Sequence, residues 1–186
     1  RAEVLDELGR LAAYFKMPTF CVLISQGVFG CVPWNALGYQ TLFFQVAGLS
    51  DWHASFLQAV SQISAAVGSL MGGMIGDKFA RWSRYHGRPL VAQFSVLSGI
   101  PVAYLTFMVI PPREGALAHY LPLVVSLGLT ATWCAAGVNQ PILSEIVEPD
   151  RRSSVMAWET AFEGSAAAMF GNAAVGLLAQ NVFGYS

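Results

Sequence analysis

Glu159 and Glu163 stand four residues apart, which puts both carboxylates on one face of a helix. From Gly164 to Ser186 no charge follows them, so the pair borders a long apolar stretch. If that helix starts near 151, Glu163 lies roughly 15–18 Å along it. At such a depth an ionisable group needs a cavity or a partner. Desolvation and the neighbouring carboxylate both favour its neutral form. Glu163 could therefore carry a proton or hold a cationic group of a solute. The competing role is a structural pair with Lys78 or another basic residue. Glu159 lies closer to the start of the helix and is expected at the interface.

Other polar groups sit beside prolines. The first uncharged stretch carries Gln26, then Pro33 with Trp34 and Asn35 directly after it, and Asn139 and Gln140 precede Pro141. A proline inside a helix frees a carbonyl that neighbouring groups must satisfy. These five residues are candidates for lining a cavity, with closure of the kink as the plainer role for the two amides before Pro141. No nucleophile–base set appears, so the chain is not read as an enzyme. Cys21, Cys31 and Cys134 match no metal spacing and read as small packing residues. His53, His86 and His119 fall at loops or helix ends. No cofactor and no metal are expected.

A third group is charged. Asp77 and Lys78 follow a run of small residues, with Arg81, Arg84 and Arg88 close behind. These basic residues could pair with Glu145 or with anionic lipid. Arg151, Arg152 and an acidic Asp150 precede the last apolar stretch. Asp150 is a candidate cap and dipole partner for it.

The elements that must position these residues follow from charge spacing. Charged residues make up 11% of the chain, against about 25% in an ordinary soluble domain. Mean hydropathy is +0.52. Charge is absent from Met17 to Ser50, from Trp52 to Gly76, from Pro89 to Pro112 and from Gly115 to Ser144, taking histidine as neutral. Each stretch, like the one after Gly164, reaches the roughly 20 residues that cross a bilayer as a helix. Barrel strands would alternate over about 10 residues, and these runs do not. The expectation is five transmembrane helices, at about 17–48, 53–76, 89–111, 116–147 and 151–182. Residues 1–16 read as an amphipathic interfacial linker helix. In the second span Gly68, Gly72 and Gly76 repeat at four-residue intervals, which permits close helix contact. With a net charge of −1 there is no basic excess to suggest nucleic acid.

Alternate connections lie on opposite sides of a membrane. Arg1, Arg10, Lys16, Lys78, Arg81, Arg84, Arg88, Arg151 and Arg152 then share one side, and Arg113 alone takes the other. The excess of positive charge makes the shared side cytoplasmic, with the amino end inside. The expected location is a multi-pass protein of the plasma membrane or an organelle.

Gly73-Met74-Ile75-Gly76-Asp77-Lys78, followed by Gly87-Arg88, resembles the signature cytoplasmic loop of the major facilitator superfamily, Gly-x-x-x-Asp-Arg/Lys-x-Gly-Arg/Lys-Arg/Lys. The match needs seven extra residues within Phe79 to His86, and Pro89 stands where the last basic residue belongs. Asn139 to Val147, then Arg151-Arg152-Ser153-Ser154 and Phe162-Glu163-Gly164, resemble the family's junction of its tenth and eleventh helices. The extended loop looks most like a plant and algal branch, with spinster-like transporters as broader relatives. The resemblance implies an all-α polytopic bundle, part of the C-terminal six-helix half of that fold, covering helices seven to eleven. The chain would then be a piece of a longer protein, with the amino-terminal half and the last helix as its partners beside the bilayer and a small-molecule substrate. The implied activity is secondary active transport of a small organic solute by alternating access, with proton coupling as an option. A spinster-like lipid or lysolipid transporter and a non-transporting sensor are the alternatives. The motif glycines are Gly73, Gly76 and Gly87. The resemblance gives Asp77 the role of a conformational latch closing on the start of the fifth helix, with Lys78, Arg88, Glu145, Arg151 and Arg152 as candidate members.

All of this requires hydrocarbon around the uncharged runs. The polypeptide is expected to stay with the membrane pellet through carbonate extraction and to need detergent for dispersal. A monodisperse preparation in plain buffer would overturn the reading.

Overall fold

A computed structural model describes residues 12–111 and 115–171, with Gly9, Arg113, Ala173, Gly176 and Leu177. Every regular element among them is helical. Four helical runs are long and apolar enough to cross a membrane: Pro18–Val46, Asp51–Trp82, Gly87–Val109 and Leu117–Ile146. A further helix begins at Arg152. The proposed linker helix, for the most part, and the far end of the fifth span lie outside the described residues.

In detail, α1 is Pro18–Ala36, and a 3-10 turn, Leu37–Tyr39, leads to α2, Gln40–Val46. Helix α3 is Asp51–Trp82 and α4 is Gly87–Tyr104, the latter prolonged by a π turn over Leu105–Val109. Helix α5, Leu117–Ala131, is followed by the π segment Ala135–Asn139 and by α6, Gln140–Ile146. A 3-10 turn at Pro149–Arg151 leads into α7, Arg152–Ala166, which itself ends in a π turn at Ala167–Gly171. The chain divides into two compact units, one made of Arg1–Gly38 and Leu143–Ser186, the other of Tyr39–Ile142.

Several boundaries differ from those read off the charges. The second span was expected to end at Gly76, where charge begins. Charge does not break a helix, and no proline or extended residue intervenes before Ser83, whose φ of −145° and ψ of 109° end α3. Lys78 and Arg81 lie within its last turns, where cations complement the helix dipole. The anticipated long basic loop is thus only the connector between Trp82 and Gly87. Helix α4 starts at Gly87 rather than at 89, because Pro89 is tolerated in a first turn. Asp150 does not cap the fifth helix: Arg151 takes the N-cap position, with no side-chain cap.

The second unit shows which solvent these helices face. On α3 the buried positions are Ala54, Leu57, Ser64, Gly68, Gly72 and Gly76. Ile63, Val67, Leu70 and Met74, at helical spacing, are exposed instead, Leu70 by 73%. A water-facing helix has the reverse pattern. In a bilayer small residues face the neighbouring helix and large apolar ones face lipid. Trp52 and Trp82, about 75% exposed, sit at the two ends of α3. Thirty residues of helix separate them, about 45 Å, which is the span between the two headgroup belts where tryptophan concentrates.

The glycine face packs against α5 and the π segment. A Cβ on Gly68 would strike the Gly128 carbonyl, and one on Gly76 the Gly137 carbonyl. A Cβ on Gly72 would stand 2.7 Å from the Trp133 Cα. Residue number rises on both sides of the contact, so α3 and α5 run parallel, as alternate spans should. Gly73 lies off this seam, with nothing within 4 Å of its Cβ position. Gly87 turns the chain so closely that a Cβ would meet the Phe79 carbonyl. Where α3 and α2 meet α5 near the far end, Phe44, Leu57, Tyr120 and Val124 form a buried cluster.

Helix α5 is broken where it passes Ser95 of α4. The Ser95 hydroxyl donates to the Thr130 carbonyl at 2.7 Å and accepts from the Trp133 backbone N–H at 3.2 Å. One side chain thus repairs both backbone groups released at the break.

Two glycines of the resemblance separate by these contacts. Gly76→Ala should cost about 1–3 kcal/mol through overpacking. Gly73→Ala should be neutral or gain up to about 1 kcal/mol of helix propensity. Thermal unfolding of the two variants in one detergent compares them; equal melting points would remove the seam.

Candidate functional site

In the first unit the carboxylates of α7 face α1. The Cys31 thiol donates to Glu163 Oε2 at 3.5 Å. The Glu163 carboxyl lies so close to Gly27 that a Cβ there would collide with it. Asn35 Nδ2 donates to the Cys31 carbonyl at 3.3 Å, and Asn35 Cβ would stand 2.9 Å from a Cβ on Gly171. Gly27, Cys31 and Asn35 fall every fourth residue on α1, and Glu163, Ala167 and Gly171 do so on α7 and the π turn that follows it. Pairing of early with early and late with late makes α1 and α7 parallel.

Glu159, expected at the interface, is the more buried of the two acids, 4% exposed against a half-buried Glu163. No salt bridge to either carboxyl forms among the described residues. The only hydrogen bond to them there is the thiol of Cys31, a weak donor. Holding a carboxylate ion out of water costs several kcal/mol, more than a thiol at that distance returns.

Cys31 is the member that sequence reading missed. By sequence it reads as a packing residue, because no spacing rule links it to a residue 132 positions later. The one available signal was its place one helical turn before Asn35 and after Gly27. Of the other candidates, Gln26 and Trp34 are exposed on the chain, and Asn35 is half-buried against α7. Asn139 is buried in the π segment while Gln140, the next residue, is exposed, so the two amides do not act on one face.

A second polar centre lies in the other unit. Arg88, on the first turn of α4, has a side chain 11% exposed. Its Nη2 donates to Asp77 Oδ1 at 3.0 Å, and its Nη1 donates to the Gly137 carbonyl at 3.0 Å. One guanidinium therefore ties the end of α3, the start of α4 and the π segment after α5. Its rigid fork suits this double contact, which a lysine ammonium would not reproduce. Gly137 offers its carbonyl here because Pro141, four residues on, has no N–H to bond it. Lys78 is exposed and takes no part. In the first unit Arg151 pairs with Glu148 at 3.1 Å, and Arg152 donates to the Val147 carbonyl at 3.4 Å, while Glu145 is exposed on α6. Three or more metal-ligating side chains do not cluster anywhere among the described residues.

No protein-family model, no curated protein and no solved structure matches the chain.

The Arg88 centre predicts unequal losses. Asp77 is 63% exposed, so Asp77→Asn should cost no more than about 1 kcal/mol. Arg88→Gln strands a buried carbonyl as well and should cost about 1.5–3 kcal/mol. Thermal melts of both variants in detergent test the order, and an equal loss would show that the Gly137 bond contributes nothing.

Proposed function

We propose that this chain is part of a secondary transporter that moves a small organic solute across a membrane by alternating access. The observation that carries the proposal is the Glu159–Glu163 pair. Two acids without a cation among the described residues lie on a helix of a membrane protein, beside a glycine, a thiol and an amide. Ionisable residues in such segments face ion or substrate paths far more often than lipid. Interrupted helices add support. The turn at Leu37–Tyr39 and the π segments at Leu105–Val109, Ala135–Asn139 and Ala167–Gly171 are of the kind found where spans line a site. The resemblance of Gly73 to Lys78 and Gly87-Arg88 to the major facilitator superfamily points the same way, to the C-terminal half of that fold with the amino end cytoplasmic. In this reading Glu163 binds the coupling proton or a cationic solute group, Glu159 shares the load, and Asp77 held by Arg88 is the conformational latch.

The complete protein in proteoliposomes tests the assignment. Glu163→Gln should retain solute exchange and lose uptake driven by a proton gradient. Asp77→Asn should insert normally and reduce uptake by up to about fivefold, the worth of one exposed ion pair. If gradient-driven uptake survives Glu163→Gln, the carboxylate is not the coupling group; uptake unchanged by Asp77→Asn removes the latch.

A further inference from the structure

We propose that the exposed end of α3 and its connector to α4 form a binding surface for anionic phospholipid headgroups. The proposal rests on the membrane-spanning character of α3 and α4 and not on transport.

Between Trp52 and Arg113 the chain has a single acidic residue, Asp77. Arg88 already engages its carboxylate at 3.0 Å. Lys78, Arg81 and Arg84 are exposed and form no salt bridge among the described residues. Arg81 Nε donates to the Asp77 backbone carbonyl at 3.3 Å, which leaves its terminal amino groups for an outside acceptor. Three positive charges thus remain uncompensated on one end of the unit. Lys78 and Arg81 are three residues apart and share a helix face.

The aromatic residues there decide what kind of anion the surface takes. Trp82 and Tyr85 are exposed by 74% and 80%, and Phe79 packs edge-on against Trp82. Just below them α3 exposes Met74 and Leu70. The cations therefore stand where a lipid-facing apolar surface ends, among rings of the type that settle at headgroup level. A soluble phosphate would use the cations and ignore the rings. A phospholipid uses both, with phosphate on the guanidinium and ammonium groups and glycerol and upper chains against Trp82 and Tyr85. The helix end itself presents carbonyls, so the side chains must supply all the attraction. Each cation close to an anionic surface adds a comparable increment, and salt weakens it.

Native mass spectrometry of the complete protein, taken from nanodiscs of mixed phosphatidylcholine and phosphatidylglycerol, reads the preference. The unaltered protein should retain phosphatidylglycerol over phosphatidylcholine. The combined Lys78→Gln, Arg81→Gln and Arg84→Gln variant should lower that preference by about tenfold or more. Arg81→Lys with Arg84→Lys should keep it, which separates charge from misfolding. Trp82→Ala with Tyr85→Ala should weaken both lipids alike. No preference in the unaltered protein, an equal preference in the neutral variant, or displacement of the lipid by millimolar inorganic phosphate would each overturn the proposal. Failure of the membrane reading itself shows separately, as a protein that does not float with phosphatidylcholine vesicles.

Discussion

A helix whose large apolar side chains point away from its neighbours can exist only where the surroundings are themselves apolar. Helix α3 is such a helix. Its contact face is a ladder of Ser64, Gly68, Gly72 and Gly76, and its outer face carries Ile63, Leu70 and Met74. Hydrophobic burial does not drive that arrangement, because leaving lipid gains a leucine nothing. What remains is backbone proximity, which glycine allows, and the demand that every backbone polar group find a partner inside the protein. The parallel seam of α3 with α5, the tight Gly87 turn and the placement of aromatics at both ends of α3 all follow from that one condition.

The same condition explains where side-chain polarity is spent. Each unpaired backbone group in hydrocarbon costs several kcal/mol, so a broken helix must be mended locally. Ser95 mends α5 at Thr130 and Trp133, and Arg88 takes the Gly137 carbonyl at the π segment. The Thr106 hydroxyl, fully buried, returns to the Val102 carbonyl one turn back. Arg88, Ser95 and Thr106, three buried polar side chains of the second unit, are thus engaged with backbone carbonyls. Against this background the two carboxyls of α7 stand apart. They mend no break, and the thiol of Cys31 is the sole donor they meet among the described residues.

Much of the architecture was legible from the sequence, and for physical reasons. Long uncharged runs give spans because the bilayer sets their length, and a glycine every fourth residue gives a seam because that spacing stays on one face. Asp77 and Arg88 could be picked out together through the resemblance. Other features were hidden because they depend on long-range placement. Trp82 as the end of α3 could not be read, since a charge marks the edge of hydrocarbon and not the edge of a helix. The π segments carry no spacing signature, and the part played by Ser95 is fixed by a helix 35 residues away. Glu159 was placed at the interface by counting residues from 151, yet burial depends on what packs against a residue as much as on its depth.

The two polar centres differ in how firmly each is held. Arg88 is bound on two sides within one unit, to a carboxylate that remains largely open to solvent and to a carbonyl that does not. Such a centre can release Asp77 and still hold Gly137, so the start of α4 stays anchored to the π segment while a charge becomes available. Glu163 has no equivalent second anchor. Its carboxyl rests on the backbone of Gly27, and among the described residues only the weakly donating Cys31 thiol holds it, so this flexible side chain can change partners without moving a helix. The transport proposed above calls for that freedom at Glu163, whereas a structural ion pair would need the opposite, a cation held in fixed geometry.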